Sequence, residues 1–135
     1  MSSWNLEQAR RHYNIANWSE GYFDINPAGH VEARPRRDRG PAIDLYAIAR
    51  HLSDYHLSLP VLVRFTGILQ DRIDHLLRAF DAARREHAYS GAYTAIYPVK
   101  VNQQHSVVQA MVDHAGERLG LEAGSKPELL AVLGI

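Results

Sequence analysis

The chain has 135 residues, 46% hydrophobic and 22% charged, which is ordinary for about one globular domain. Its 15 basic and 15 acidic side chains cancel to a net charge of +0, so no basic field invites nucleic acid or an acidic membrane surface. Cysteine is absent, which excludes disulfides, thiolate nucleophiles and thiolate metal sites.

The opening stretch, through Tyr13, has no apolar core of signal-peptide length, and no later run approaches a membrane span. A cytoplasmic protein is the expectation. Residues 1–41 read as an N-terminal helix, a β-hairpin and a linker. The hairpin pairs Tyr22-Phe-Asp-Ile25 with His30-Val-Glu-Ala33 across Asn26-Pro-Ala-Gly29, whose proline and glycine positions suit a type I turn. The charged, Pro/Gly-punctuated run from Arg34 to Pro41 reads as a solvated linker. Its four arginines could also suggest phosphate binding.

Residues 42–135 alternate helical and strand-like patterns. Leu45, Ile48, Ala49 and Leu52 form one helical stripe, Ile73, Leu76, Leu77 and Phe80 a second, and Val108, Met111, Val112 and Ala115 a third. A fourth helix starts near Ser125, where Ser125 and Glu128 are spaced as a capping box and Pro127 stands in the first turn. Between the stripes lie apolar runs, Pro60 to Phe65, Tyr93 to Val101 and Leu119 to Ala123. The first two are apolar on both alternating faces, as strands covered on both sides are. Strand followed by helix, three times over, is the rhythm of parallel βαβ units. Three such strands leave two open edges, and a closed (β/α)₈ barrel needs about 250 residues. The expectation is therefore the beginning of a longer protein. The alternative is a complete, small three-strand α/β domain.

Chemistry concentrates on few residues. Of the 15 basic side chains only Lys100 and Lys126 are lysines. Lys100 falls at the C-terminal end of an apolar strand, the rim where barrel active sites are built. Burial there would favour the neutral amine, which attacks aldehydes to form Schiff bases. The bland reading is a strand-end lysine whose head reaches solvent. Glu122 takes the matching rim position on the next strand, close enough for a carboxylate to meet the Lys100 amine or a bound cofactor, or else to form a surface ion pair. Gly124-Ser125 precedes a helix N-terminus, where capping is the simplest role for Ser125. Tyr93 and Tyr97 fall on one strand face and read as core. The eight histidines show no i+3 or i+4 pairing, and no zincin, nucleophile-elbow or Walker pattern occurs, so no metal site is assigned.

The run Tyr97-Pro-Val-Lys-Val-Asn-Gln-Gln104 resembles the pyridoxal-phosphate lysine motif of the biosynthetic arginine decarboxylases. Gly120-Leu-Glu-Ala-Gly-Ser-Lys-Pro-Glu-Leu129 resembles the family's next block, and Leu59 to Phe65 and Gly21 to Ile25 with Gly29-His30 resemble its leading segments. The likeness covers nearly the whole chain in order. The resemblance implies an α/β fold like that of alanine racemase: the start of a (β/α)₈ TIM-type barrel, preceded by a hairpin of a β-rich domain. Residues 42–135 would be the incomplete N-terminal part of that barrel. It further implies Lys100 as the lysine that binds pyridoxal 5'-phosphate covalently, Glu122 as a cofactor-proximal carboxylate, and conversion of L-arginine to agmatine and carbon dioxide on the route to polyamines. Magnesium and assembly into homo-oligomers come with the family, though no magnesium ligand is visible here. Family members are several times longer, so a chain of this length is expected to be inactive alone. A non-catalytic or regulatory homologue, a decarboxylase of another basic amino acid, and a cofactor-free α/β interaction module stay open as alternatives.

Overall fold

The computed structural model describes residues 4–135; the first three residues of the 1–41 segment lie outside it. The fold is mixed α/β, and the chain divides into two compact units, Met1–Phe65 and Thr66–Ile135.

The first unit begins with α1 (Leu6–His12), capped by Asn5, whose side chain accepts from the Glu7 and Gln8 amides. A single-turn α2 (Ile15–Trp18) follows. The expected hairpin forms as β1 (Phe23–Ile25) and β2 (Val31–Ala33), antiparallel with Asp24 opposite Glu32. Its turn closes through the Gly29 amide donating to the Asn26 carbonyl at 2.9 Å. Gly29 has φ +84°, a conformation that glycine adopts at no steric cost. The Asn26 side chain accepts from the Ala28 and His30 amides as well, the local bonding that favours Asn in turns.

Two features of this unit depart from the sequence expectation. A short third strand, β3 (Ile43–Asp44), extends the sheet in the order β1–β2–β3. The arginine-rich run is solvated only in part: Arg36, Asp38 and Arg39 are exposed, but Arg34 and Arg37 are not. Arg34 is ion-paired with Asp24 and Glu32 at 3.0 and 2.6 Å. Arg37 lies over the Tyr22 ring, 4.5 Å from its centroid, and donates to the Tyr22 hydroxyl. These cations complete the charges of the hairpin. α3 (Leu45–His51) then starts at Asp44, whose carboxylate accepts from the Tyr46 and Ala47 amides.

Pro60 to Phe65, expected as a strand, forms none. Strands persist through ladder hydrogen bonds to a neighbour, and no described residue pairs with this run. Its alternation survives: Val61, Val63 and Phe65 line an apolar groove of about 250 Å³ with Leu45, Ile48 and Leu52, while Leu62 is 81% exposed.

The second unit is built on one parallel βαβ crossover. β4 (Ala95–Pro98) leads through α5 (His105–Ala115) to β5 (Leu119–Glu122), and β4 pairs with β5 from Ala95↔Leu119 to Pro98↔Glu122. The long α4 (Thr66–Glu86) packs on α5. The core joins Ile73 and Leu77 of α4, Ala95 of β4, and Val107 and Met111 of α5, with Tyr93, Tyr97 and Leu119 packed against it. Leu76 and Phe80 of the predicted stripe stay half-exposed, and Phe80 stacks on Tyr93 at 3.9 Å between ring centroids. Arg118 clamps the start of β5 to α4 by two hydrogen bonds to Asp81, at 2.8 and 2.9 Å. That bidentate pair is the main reason the Asp81 carboxyl sits below the usual aspartate range. α6 (Lys126–Leu133) closes the unit, with Pro127 in its first turn. No helix among the described residues is long and apolar enough to cross a membrane.

Candidate functional site

The carboxyl ends of β4 and β5 lie side by side because the parallel register runs out at Pro98 opposite Glu122. Sequence reasoning sets Lys100 inside the strand, but the strand ends at Pro98 and the chain turns through a 3₁₀ segment, Val99–Val101. Proline has no N–H to continue a ladder, and Val99 drives its side chain into the interior, where it is 1% exposed. Lys100 follows on the outside of that turn and is exposed. The burial expected to favour its neutral form is therefore absent in this chain. Its amine makes no ion pair or hydrogen bond with any described residue.

Glu122 is also exposed. It forms no ion pair with Lys100, so the surface-pair alternative does not hold here. The rim thus presents a primary amine on the turn after β4 and a carboxylate at the end of β5, neither with a partner among the described residues. α6 packs beside the turn that carries Lys100. The approach to α6 is held by Ser125, whose hydroxyl accepts from the Glu128 amide at 3.4 Å. The return bond of the expected capping box is displaced by one residue: the Glu128 carboxylate accepts from the Gly124 amide, at 2.6 Å, instead of from Ser125.

Sequence reasoning treats Tyr97 as core and misses its polar end. The ring packs against the core, while the hydroxyl donates to the Asn102 carbonyl at 3.1 Å. The Asn102 side chain accepts from the Gln104 amide at 3.0 Å and leads the chain into α5. An Asn two residues before a helix-initiating amide is the available signal for that second bond. No sequence pattern signals the first.

Lys100, an accessible primary amine, is the residue that would hold the aldehyde end of pyridoxal phosphate. The described residues hold no group of three or more His, Cys, Asp or Glu that could ligate a metal ion.

No family model matches the chain. Individual proteins do. The biosynthetic arginine decarboxylase of Xanthomonas campestris pv. campestris is 50% identical over 135 residues, 100% of this chain and 21% of that protein. That of Alkalilimnicola ehrlichii is 52% identical over 136 residues, 100% of this chain and 22% of that protein. Among solved structures, the crystal structure of the biosynthetic arginine decarboxylase from Campylobacter jejuni superposes with a TM-score of 0.77 at 36% identity, covering 90% of this chain and 20% of that one. The chain spans about a fifth of the length of the curated relatives it matches. Likeness in sequence and in backbone thus covers nearly every described element, and the chain is similar along its whole length to about a fifth of proteins named biosynthetic arginine decarboxylase.

Proposed function

We propose that this chain is the cofactor-lysine segment of a pyridoxal-phosphate-dependent arginine decarboxylase, which converts L-arginine to agmatine and carbon dioxide. The observation that carries the reading is the unpaired Lys100 amine at the carboxyl end of a parallel strand, within a segment half identical to proteins of that name.

Lys100 would hold the cofactor through Nζ, as the primary amine able to bond to its aldehyde. When bound, the cofactor supplies an electron sink for the pair released by the departing carboxylate. Glu122, on the neighbouring strand, offers a carboxylate to orient the cofactor or the incoming substrate at the same rim. Val99 buries the root of the turn, so the lysine's flexible stem begins from a fixed point.

In this reading β4, α5 and β5 are one unit of a (β/α)₈ barrel that takes in residues 42–135, and residues 1–41 belong with a β-rich domain. Pro60 to Phe65 finds its ladder partner in the intact barrel. The intact protein is cytoplasmic and homo-oligomeric, and feeds polyamine synthesis. Magnesium accompanies the family, and no step is assigned to it.

The test is release of carbon dioxide from carboxyl-labelled arginine. The intact protein carrying this segment is expected to release it when supplied with pyridoxal phosphate, and residues 1–135 alone are expected to release none. Release from lysine or ornithine in preference to arginine would overturn the substrate assignment. Robust turnover by the 135-residue chain would overturn the requirement for the rest of the protein.

A further inference from the structure

Lys100 reaches any ligand through four flexible side-chain bonds, so the accuracy of its amine depends on how firmly its main chain is held. Three contacts hold it. Val99, immediately before it, is anchored in the interior at 1% exposure. Asn102, two residues after it, receives a hydrogen bond on its carbonyl from the Tyr97 hydroxyl. The Asn102 side chain in turn accepts from the Gln104 amide, one residue before α5 begins. The Tyr97 ring is itself packed against the core of Ile73, Leu77, Ala95, Val107 and Met111. A rigid, two-torsion side chain rooted in β4 therefore spans the whole 3₁₀ turn from strand to far end.

We infer that Tyr97 is a positioning residue for Lys100, acting through the Asn102 carbonyl on the main chain of the turn and not by touching the cofactor. This deepens the assignment of Lys100 as the cofactor lysine and rests on it. Phenylalanine at position 97 would keep the ring in the core and delete only the bond. The Asn102 carbonyl would then turn to water, and the turn would lose one of its fixed ends. Tyr93 supplies the matched control. It also packs on the core, its ring stacks on Phe80, and its hydroxyl bonds to nothing among the described residues.

The experiment compares wild type, Tyr97→Phe and Tyr93→Phe in the intact enzyme, by three readouts. Amide hydrogen exchange follows residues 100–104. Borohydride reduction and peptide mapping follow the rate of pyridoxal-phosphate incorporation at Lys100. Steady-state kinetics separate kcat from KM. In Tyr97→Phe, exchange is expected to quicken by about two- to tenfold, the range of one net hydrogen bond. Incorporation slows by a similar factor, and kcat falls about tenfold with KM for arginine unchanged, as expected when a reacting group is misplaced. Tyr93→Phe is expected to match wild type in all three. Unchanged exchange and kcat in Tyr97→Phe would overturn the proposal, and equal losses in Tyr93→Phe would do the same by reducing the effect to core packing. A wild-type enzyme that takes up no cofactor at Lys100 would instead overturn the lysine assignment, and with it any such role for Tyr97.

Discussion

Asp44 joins the hairpin of the first unit to the helix that follows it: one carboxylate oxygen meets His30 Nδ1 at 2.8 Å, while the other caps α3. The first oxygen also accepts from the Asn26 side chain at 3.0 Å, and the His30 ring lies 4.4 Å from that of Tyr46. The hydrogen bond to His30, followed by that from the Ala47 amide, pulls the Asp44 carboxyl down from 3.8 to about 2.

The unfolded chain takes up this proton at higher pH than the folded one. The stabilisation is thus fully present above the ordinary aspartate value of 3.8 and is lost as pH falls through about 2. A carbon-13 titration of the Asp44 carboxyl is expected to show a midpoint near 2, and Asp44→Asn to flatten the acid dependence of unfolding in that window. A midpoint at the ordinary aspartate value would mean that the His30 contact does not hold in solution. Asp24 behaves similarly for a different balance of reasons: burial works to raise it, and the bonds from Arg10 and the Ile25 amide, with the charges of Arg10 and Arg34, outweigh that.

Val108 of α5 is 0% exposed and one of the two most fully buried large side chains described. Truncation to alanine removes two methyl groups and leaves a cavity, at a cost of about 2–3 kcal/mol. Glu117→Ala, at an exposed position, is expected to change stability by no more than about 0.5 kcal/mol. Urea unfolding of the two variants checks the pair, and similar midpoints would contradict the burial of Val108.

The sequence was most legible where a local pattern has one structural solution. Asn26-Pro-Ala-Gly29 announces its turn, and Ser125, Pro127 and Glu128 announce a helix start, because the side chains that satisfy the backbone there are near in sequence. The three helical stripes mark α3, α4 and α5 for the same reason. Val107, absent from the third stripe, is nonetheless core, since α5 is covered by both α4 and the sheet. Pairing at long range was less readable. Pro60 to Phe65 carries a strand's alternation without a described partner, and β3 hides in a run dominated by arginine and proline. Arg34 looks solvated in one dimension and is ion-paired in three, as Asp24 and Glu32 approach only once the hairpin has formed. The site divides in the same way. Lys100 and Glu122 could be placed at one rim by counting strands. The exposure of Lys100 was open to either reading, a buried amine or a head that reaches solvent, and a turn set by Pro98, Val99 and the Tyr97 hydroxyl decides for the second.

On the proposed assignment the Lys100 amine bonds covalently to pyridoxal phosphate. The most direct measurement of that bond is borohydride reduction of the intact enzyme with the cofactor, followed by mass mapping of the labelled peptides, with Lys100→Ala run in parallel. A single stoichiometric adduct on Lys100 is expected, with none on Lys126 and a loss of decarboxylation of about three orders of magnitude or more in Lys100→Ala. An adduct that maps to Lys126 or to a lysine outside this segment, or one that persists unchanged in Lys100→Ala, would contradict the assignment.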